Sequence, residues 1–279
     1  MRSRESLRGV GMTALGVARV RAEESRRPNR LFDDPYAQAF LDAVPGAFAE
    51  EERAISGGEL ASPGAAFYSH GVIRTRFFDD YLLAACAAGC TQVVLLAAGL
   101  DSRAFRLPWP DSVRLFELDL PEVVSFKEGV LAEQGDVPRC ERTVVPVDLR
   151  EDWPAELRKA GFRPSEPTAW LAEGLLIYLS SDEAVRLLSA VGRISAAGSR
   201  LSFERGADGA LLAQARATRS MDRYTALWKG GLGDDASDWL ARHGWRTQTH
   251  DLAAVAASYD RSVPGPVDHG FLTAVRERR

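Results

Sequence analysis

Short apolar runs alternate with longer amphipathic stretches through the central part of the chain. Runs of this kind, separated by helical segments, are typical of a parallel sheet whose strands are joined by crossover helices. The apolar runs predict seven strands, at residues 92–98, 113–119, 142–149, 168–173, 199–204, 245–251 and 271–278.

Helix signals fill the intervals between these runs. The segment "PEVVSFKEGVLAEQG" places Pro121 at a favoured first helical position and closes on Gly135, which suits a helix end. Further along, Ser180 and Glu183 have the spacing of a capping box. Upstream of the first strand, residues 72–88 carry aromatic and aliphatic side chains at four-residue steps and predict a helix.

The pattern changes character near residue 90. Residues 1–90 are rich in Arg, Glu, Pro and Gly and predict an N-terminal helical cap or lid. Residues 91–279 predict one α/β core with a mostly parallel sheet of seven strands, and the pattern loosens at about 206–235, which we interpret as a substrate-side insertion. A chain of 279 residues is long enough for one such core with added elements.

Composition excludes several classes of function. A net charge of −4 and the lack of long basic runs argue against a nucleic-acid partner. No apolar run reaches the roughly 18–20 residues of a membrane span, so no membrane partner is expected. The three cysteines form no CxxC pair and favour the reducing cytoplasm, and no His or Cys spacing predicts a bound metal. The sequence predicts no particular oligomeric state.

The loop after the first strand, in "VVLLAAGLDSRAFRL", carries an acid where a dinucleotide-binding loop carries a second glycine. Asp101 at that position repels a pyrophosphate at close range, which disfavours an NAD-dependent oxidoreductase. The loop therefore favours a cofactor without phosphates, such as S-adenosyl-L-methionine. In the other interpretation, Asp101 caps the helix that follows.

Three further acids follow the predicted strands. Asp119 comes twenty positions after Gly99, a spacing at which an acid is expected to accept hydrogen bonds from ribose hydroxyls. Asp148 is placed to accept from the adenine amine while Leu149 packs on the ring, and Glu173 ends the fourth strand. Taken singly, each acid is also a common helix cap; together they predict one cofactor site at the carboxyl edge of the sheet.

The motifs "LLAAGLDSRAFRL", "FELDLPEVVSFK", "VPVDLREDW" and "AEGLLIYL", with "RTRFFDDYL" upstream, resemble the leucine carboxyl methyltransferase-like branch of class I S-adenosyl-L-methionine-dependent methyltransferases. The resemblance implies a Rossmann-like seven-stranded sheet. It also implies that Arg76 pairs with the methionine carboxylate of the cofactor, that Gly99 packs on the methionine portion and that Glu173 lies near the ammonium group. The alternative for Arg76 is a pair with Asp79 or Asp80. The first motif departs from the family pattern because Ala97 replaces its first glycine.

The methyl acceptor is expected to be a carboxylate of a small molecule or of a peptide end, because the related family methylates carboxyl groups. Tyr178 and His269 are the candidates for the methyl-transfer site, although Tyr178 also suits the core and His269 a surface loop. The alternatives are a hydroxyl acceptor served by a histidine base and a non-catalytic protein with the same fold. The histidines to consider are His70, His243, His250 and His269.

Overall fold

The computed structural model describes residues 10–48, 63–205, 228–264 and 270–278. Within these ranges, three helices precede the sheet: α1 (Val10–Ser25), α2 (Pro35–Asp42) and α3 (Pro63–Ala87). Strands and helices then alternate: β1 (Gln92–Leu96), α4 (Arg103–Arg106), β2 (Arg114–Asp119), α5 (Pro121–Gln134), β3 (Glu141–Pro146), α6 (Trp153–Lys159), β4 (Thr168–Ala172), α7 (Ser181–Arg193), β5 (Arg200–Arg205), α8 (Ala236–Arg242), β6 (Trp245–Asp251), α9 (Leu252–Ser258) and β7 (Gly270–Arg276). None of the described helices combines the length and apolar character that a bilayer crossing requires.

The seven strands form one sheet in the order β3-β2-β1-β4-β5-β7-β6. The first five of these are parallel, and β7 runs antiparallel to both of its neighbours. The predicted α/β fold with a mostly parallel seven-stranded sheet is therefore confirmed. The chain reverses its direction of winding between β1 and β4, where ligands of such sheets bind at the carboxyl ends of the strands.

Side chains alternate across the central strand and build a core on each face of the sheet. Val93 and Leu95 of β1 pack with the N-terminal helices and α5, whereas Val94 and Leu96 pack with Trp153 and the helices of the other face. Two predicted helix ends are confirmed, at the carboxyl end of α5 and at the start of α7. Gly135 is left-handed with φ of 73° after α5, and the predicted capping box of Ser180 and Glu183 is present at α7.

Several predicted strands are too long at their carboxyl ends, because the backbone turns there. β1 stops at Leu96 because Ala97 has a left-handed φ of 52°. β4 stops at Ala172 because Gly174 is left-handed, with φ of 61°. β3 ends at Pro146, so Asp148 lies in the turn beyond the strand. The helix predicted at 72–88 begins earlier, at Pro63.

Helix α1 lies across the loop that follows β1. The guanidinium of Arg21 donates to the carbonyl oxygen of Leu100 at 2.7 Å and pairs with Asp34 at 3.0 Å. A methyl group added at Gly99 would lie 3.5 Å from the Cβ atom of Ala14. The N-terminal helices thus hold one wall of the predicted cofactor loop in place.

The left-handed backbone at Ala97 predicts a stabilising substitution. An L-residue loses about 1–2 kcal/mol of stability in this conformation, and glycine relieves that strain. The greater entropy of glycine in the unfolded chain offsets roughly 0.5–1 kcal/mol of the gain. We expect Ala97→Gly to raise the free energy of unfolding in urea by about 0.5–1 kcal/mol. Ala98→Gly, at a neighbouring residue without positive φ, is the control and should lower it. A loss of stability in Ala97→Gly as large as in Ala98→Gly contradicts the prediction.

Candidate cofactor site

The carboxyl ends of β2, β1, β4 and β5 lie side by side, in that order, along one edge of the sheet. Their final residues and the loops beyond them bring together Asp119, Gly99, Glu173 and Glu204. Sequence analysis predicted the first three of these residues at this edge. The parallel strands bring them together because the carboxyl ends of parallel strands share one edge.

Asp119 joins the ends of β1 and β2. One carboxylate oxygen accepts the backbone N–H of Gly99 at 2.5 Å, and the other accepts that of Leu120 at 2.7 Å. Burial raises the pKa of Asp119 above its ordinary value, although these two N–H groups oppose the shift. Each oxygen has a second lone pair, so the fixed carboxylate can still accept a hydrogen bond from a ligand hydroxyl.

Asp148 and Leu149 occupy the turn after β3. The Asp148 carboxylate accepts the backbone N–H of Arg150 at 2.9 Å and also pairs with the Arg150 guanidinium, and this hydrogen bonding lowers the Asp148 pKa. Leu149 is partly buried and packs against the same core cluster as Ala97. The turn therefore presents an ionised acid next to an apolar side chain.

Asp101 has a structural role in the loop. Its carboxylate accepts the backbone N–H of Arg103 at 2.7 Å and pairs with the Arg103 side chain. Burial opposes ionisation, but Arg103 and more distant cations lower the pKa of Asp101 to about 2. Asp101 is not the N-cap of α4, because that residue is Ser102, which makes no side-chain capping bond. The cofactor contact of Asp101 stays a prediction.

The Arg103 guanidinium is buried at the centre of an ion network. It pairs with Asp79 at 2.6 Å and with Glu173 at 2.7 Å, and Arg106 also pairs with Asp79 at 2.6 Å. Burial opposes ionisation of Glu173, but Arg103 and then Arg74 lower its pKa below the ordinary value. Glu173 is therefore an anion held at the switch point of the sheet.

Arg76 has protein partners, and the pair with the cofactor carboxylate that the resemblance implies for it stays a prediction. Its guanidinium pairs with Asp80 at 3.0 Å and donates to the carbonyl oxygen of Leu31 at 2.9 Å, and it lies over the ring of Tyr259. The side chain is 40% exposed. The pair with Asp80 is the alternative that the sequence left open.

Arg74 reaches the strand ends instead. Residues two apart on a helix point about 200° apart, so Arg74 and Arg76 cannot share a face of α3. Arg74 Nε lies 3.0 Å from Glu173, and its Nη1 donates to Glu204 at 2.9 Å. Sequence reasoning missed Arg74, because α3 has no marked apolar face that would separate the two arginines.

The guanidinium of Arg74 has donors to spare. Its side chain is 11% exposed, and its Nη2 donates to no residue within the described part of the chain. Its Nε is buried and lies near Glu173 without the alignment of a hydrogen bond. A buried arginine with N–H groups left over can take a further carboxylate in bidentate geometry.

Tyr178 ends a short 3₁₀ turn, Leu176–Tyr178, that follows β4. Because this turn follows the carboxyl end of β4, it brings Tyr178 to the same edge of the sheet as Glu173. The backbone of residues 229–231 packs on this turn, with the N–H of Lys229 donating to Ile177 at 2.7 Å. His269 lies outside the described residues.

The remaining histidines have partners elsewhere. The His243 Nδ1 atom lies 2.6 Å from the carbonyl oxygen of Trp239, and the His250 Nε2 atom lies 2.9 Å from the hydroxyl of Thr273. His70 lies against the ring of Phe271. The described part of the chain holds no group of three or more acidic, Cys or His side chains placed to bind a metal ion.

Comparison with known proteins decides the family. The family model described as leucine carboxyl methyltransferase matches residues 14–192. The chain belongs to this family. A relative in Frankia alni is 51% identical over 276 residues, covering 96% of this chain and 95% of the relative, and is assigned as an S-adenosyl-L-methionine-dependent methyltransferase. A relative in Streptomyces avermitilis with the same assignment is 44% identical and covers 96% of both chains.

Solved structures agree on the fold of this family member. A protein from Thermobifida fusca assigned as a methyltransferase has a TM-score of 0.54 at 18% identity, covering 86% of this chain and 94% of its own. A second structure, from Streptomyces avermitilis, has a TM-score of 0.58 at 18% identity and covers 86% and 96%. The predicted family and enzyme class, a methyltransferase that uses S-adenosyl-L-methionine, are confirmed.

Proposed function

We propose that this methyltransferase transfers a methyl group from S-adenosyl-L-methionine to a carboxylate oxygen of a small molecule or of a peptide end. The side chains at the strand ends support the choice of a carboxylate as acceptor. Their side chains are arginines and acids already paired with one another or with backbone groups, and the described histidines have partners outside this set. A carboxylate is ionised at neutral pH and needs no general base.

The residues at the edge fit the cofactor. S-adenosyl-L-methionine supplies, when bound, a methyl group activated by a sulfonium. The spare N–H groups of Arg74 suit its amino-acid carboxylate, and Glu173 suits its ammonium group. Asp119 is fixed by two backbone N–H groups and is available to ribose hydroxyls.

The remaining residues complete the proposed site. Asp148 accepts from the adenine amine and Leu149 packs on the adenine ring. Gly99 allows close approach of the loop, because its φ of 52° and lack of a side chain leave the backbone open beside Asp119. Tyr178 lines the methyl-transfer site, and His269 is proposed to face the acceptor.

Arg74, Glu173 and Asp119 would hold S-adenosyl-L-methionine, which would supply its methyl group to the acceptor oxygen and leave as S-adenosylhomocysteine. No proton changes hands when the acceptor is a carboxylate. The residues of the chain therefore act by holding the two substrates in line and by excluding water, which is an effect of position and not of acid–base chemistry.

This account predicts small effects from single replacement of the histidines. His70→Ala, His243→Ala, His250→Ala and His269→Ala should each leave turnover within about tenfold, because a general base contributes about 100-fold or more. The rate should stay flat from about pH 6.5 to 8.5, since an acceptor with a pKa near 4 is ionised throughout. A loss of 100-fold in one variant, with cofactor affinity intact, identifies a base and a hydroxyl acceptor.

Alkaline release of the transferred group tests the acceptor class. The protein is incubated with S-adenosyl-L-methionine labelled in its methyl group and with matched acceptor pairs that carry a free carboxylate or only a hydroxyl. Methyl esters hydrolyse in mild alkali and release labelled methanol, whereas methyl ethers keep the label. We expect volatile label from carboxylate acceptors. Label that resists alkali contradicts the proposal.

A further inference from the structure

Glu204 has two separate partners at the edge of the sheet. It lies near the end of β5, where its side chain faces α3 and is 17% exposed. One carboxylate oxygen accepts Arg74 Nη1 at 2.9 Å, and the other accepts the backbone N–H of Gly174 at 2.7 Å. Glu204 thus connects the helix that carries Arg74 with the turn that follows Glu173.

Without Glu204, little fixes the Arg74 guanidinium. Its other ion pair with a described residue is the one with Glu173 at 3.0 Å, which lacks hydrogen-bond alignment. A free arginine side chain loses rotamer entropy when it is ordered. The hydrogen bond from Nη1 to Glu204 orders the guanidinium and leaves Nη2 without a partner among the described residues.

Gly174 allows the left-handed backbone of the turn beside Arg74. Its φ is 61°, and a Cβ atom built on it would lie 3.6 Å from Arg74 Nη1. The turn therefore runs directly beside the guanidinium, and the bond to Glu204 fixes the backbone at the residue after Glu173. The Glu204 carboxylate therefore fixes the positions of Arg74 and Glu173, the two charged side chains that are proposed to face the amino-acid end of the cofactor.

We propose that Glu204 is a positioning residue that holds Arg74 and the Glu173–Gly174 turn for the amino-acid end of S-adenosyl-L-methionine. The inference rests on the proposed function, because Arg74 and Glu173 face the cofactor only there. The competing explanation is that Glu204 only balances the charge of a buried arginine. In that case its loss lowers stability without changing which part of the ligand is recognised.

Two ligands separate these explanations. S-adenosylhomocysteine carries the amino-acid end, and 5′-methylthioadenosine lacks it. By titration calorimetry we expect Glu204→Gln to weaken S-adenosylhomocysteine about tenfold or more and to leave methylthioadenosine within about twofold. Glu204→Asp, which keeps the charge on a shorter chain, should recover part of the loss and serves as the second variant if the glutamine variant unfolds. Equal losses for both ligands overturn the inference.

A double-mutant cycle tests whether Glu204 acts through Arg74. In an Arg74→Gln background, Glu204→Gln should cause a smaller further loss of S-adenosylhomocysteine affinity than in the wild type, because only its bond to the Glu173–Gly174 turn is left to lose. Independent roles give losses that multiply. Glu166→Gln is the matched control, because Glu166 is likewise a partly buried acid with two partners, Arg114 and Arg163, beside the start of β1. It should leave both ligands unchanged. Multiplying losses, with wild-type methyl transfer to carboxylates intact, overturn this inference and leave the proposed function standing.

Discussion

Arg74→Gln is expected to weaken binding of S-adenosylhomocysteine by about 10- to 150-fold, the cost of losing a charge-assisted hydrogen bond worth roughly 1.5–3 kcal/mol. Binding of 5′-methylthioadenosine should change little, because that ligand lacks the carboxylate that Arg74 is proposed to hold. Both affinities can be measured by titration calorimetry on protein whose thermal unfolding shows a folded state.

Arg76→Gln is the matched control on the same helix. Arg76 is 40% exposed and pairs with Asp80, so its loss should leave both ligands within about threefold. The Arg74→Gln variant must be shown to fold, because the change removes a buried cation. Glu173 keeps Arg103 and Glu204 keeps the N–H of Gly174, so neither acid is left without a partner. A selective loss in Arg76→Gln, with Arg74→Gln unaffected, restores the assignment made from the sequence.

Asp119→Ala is expected to reduce affinity for both ligands, by about 10- to 150-fold, because both carry the ribose. The same change removes the acceptor for the N–H groups of Gly99 and Leu120, so the loop itself loosens. This common loss distinguishes Asp119 from Arg74. Calorimetry with the two ligands gives the comparison directly.

Asp148→Ala provides the comparison for Asp119. Asp148 lies in an open turn and pairs with Arg150, so we expect its removal to have the smaller effect. Asp119→Ala that binds S-adenosylhomocysteine as tightly as the wild type contradicts the ribose assignment. Loss limited to S-adenosylhomocysteine also contradicts it, because that pattern belongs to a residue at the amino-acid end.

The strand ends were predictable from the sequence because apolar runs locate buried strands and several of these runs end in an acid. Asp119 and Glu173 follow from that pattern alone, since parallel strands place their carboxyl ends at one edge. The exact ends were less predictable. The left-handed backbone at Ala97 is set by the loop and by the contacts around it, and an alanine gives no local signal for positive φ.

The roles of the arginines were harder to predict. Arg74 and Arg76 have the same chemistry two positions apart, and only the packing of α3 against the sheet decides which one is buried. Glu204 was included in a predicted strand, but its link to α3 and to Gly174 joins residues 130 and 30 positions apart. Such contacts depend on tertiary structure and carry no sequence period.

A crystal structure of the complex with S-adenosylhomocysteine tests the account most directly. We expect the homocysteine carboxylate within hydrogen-bond distance of Arg74, the ammonium group beside Glu173, and the ribose hydroxyls on Asp119. A homocysteine carboxylate bound to Arg76, or a ribose placed away from Asp119, contradicts the account of the site.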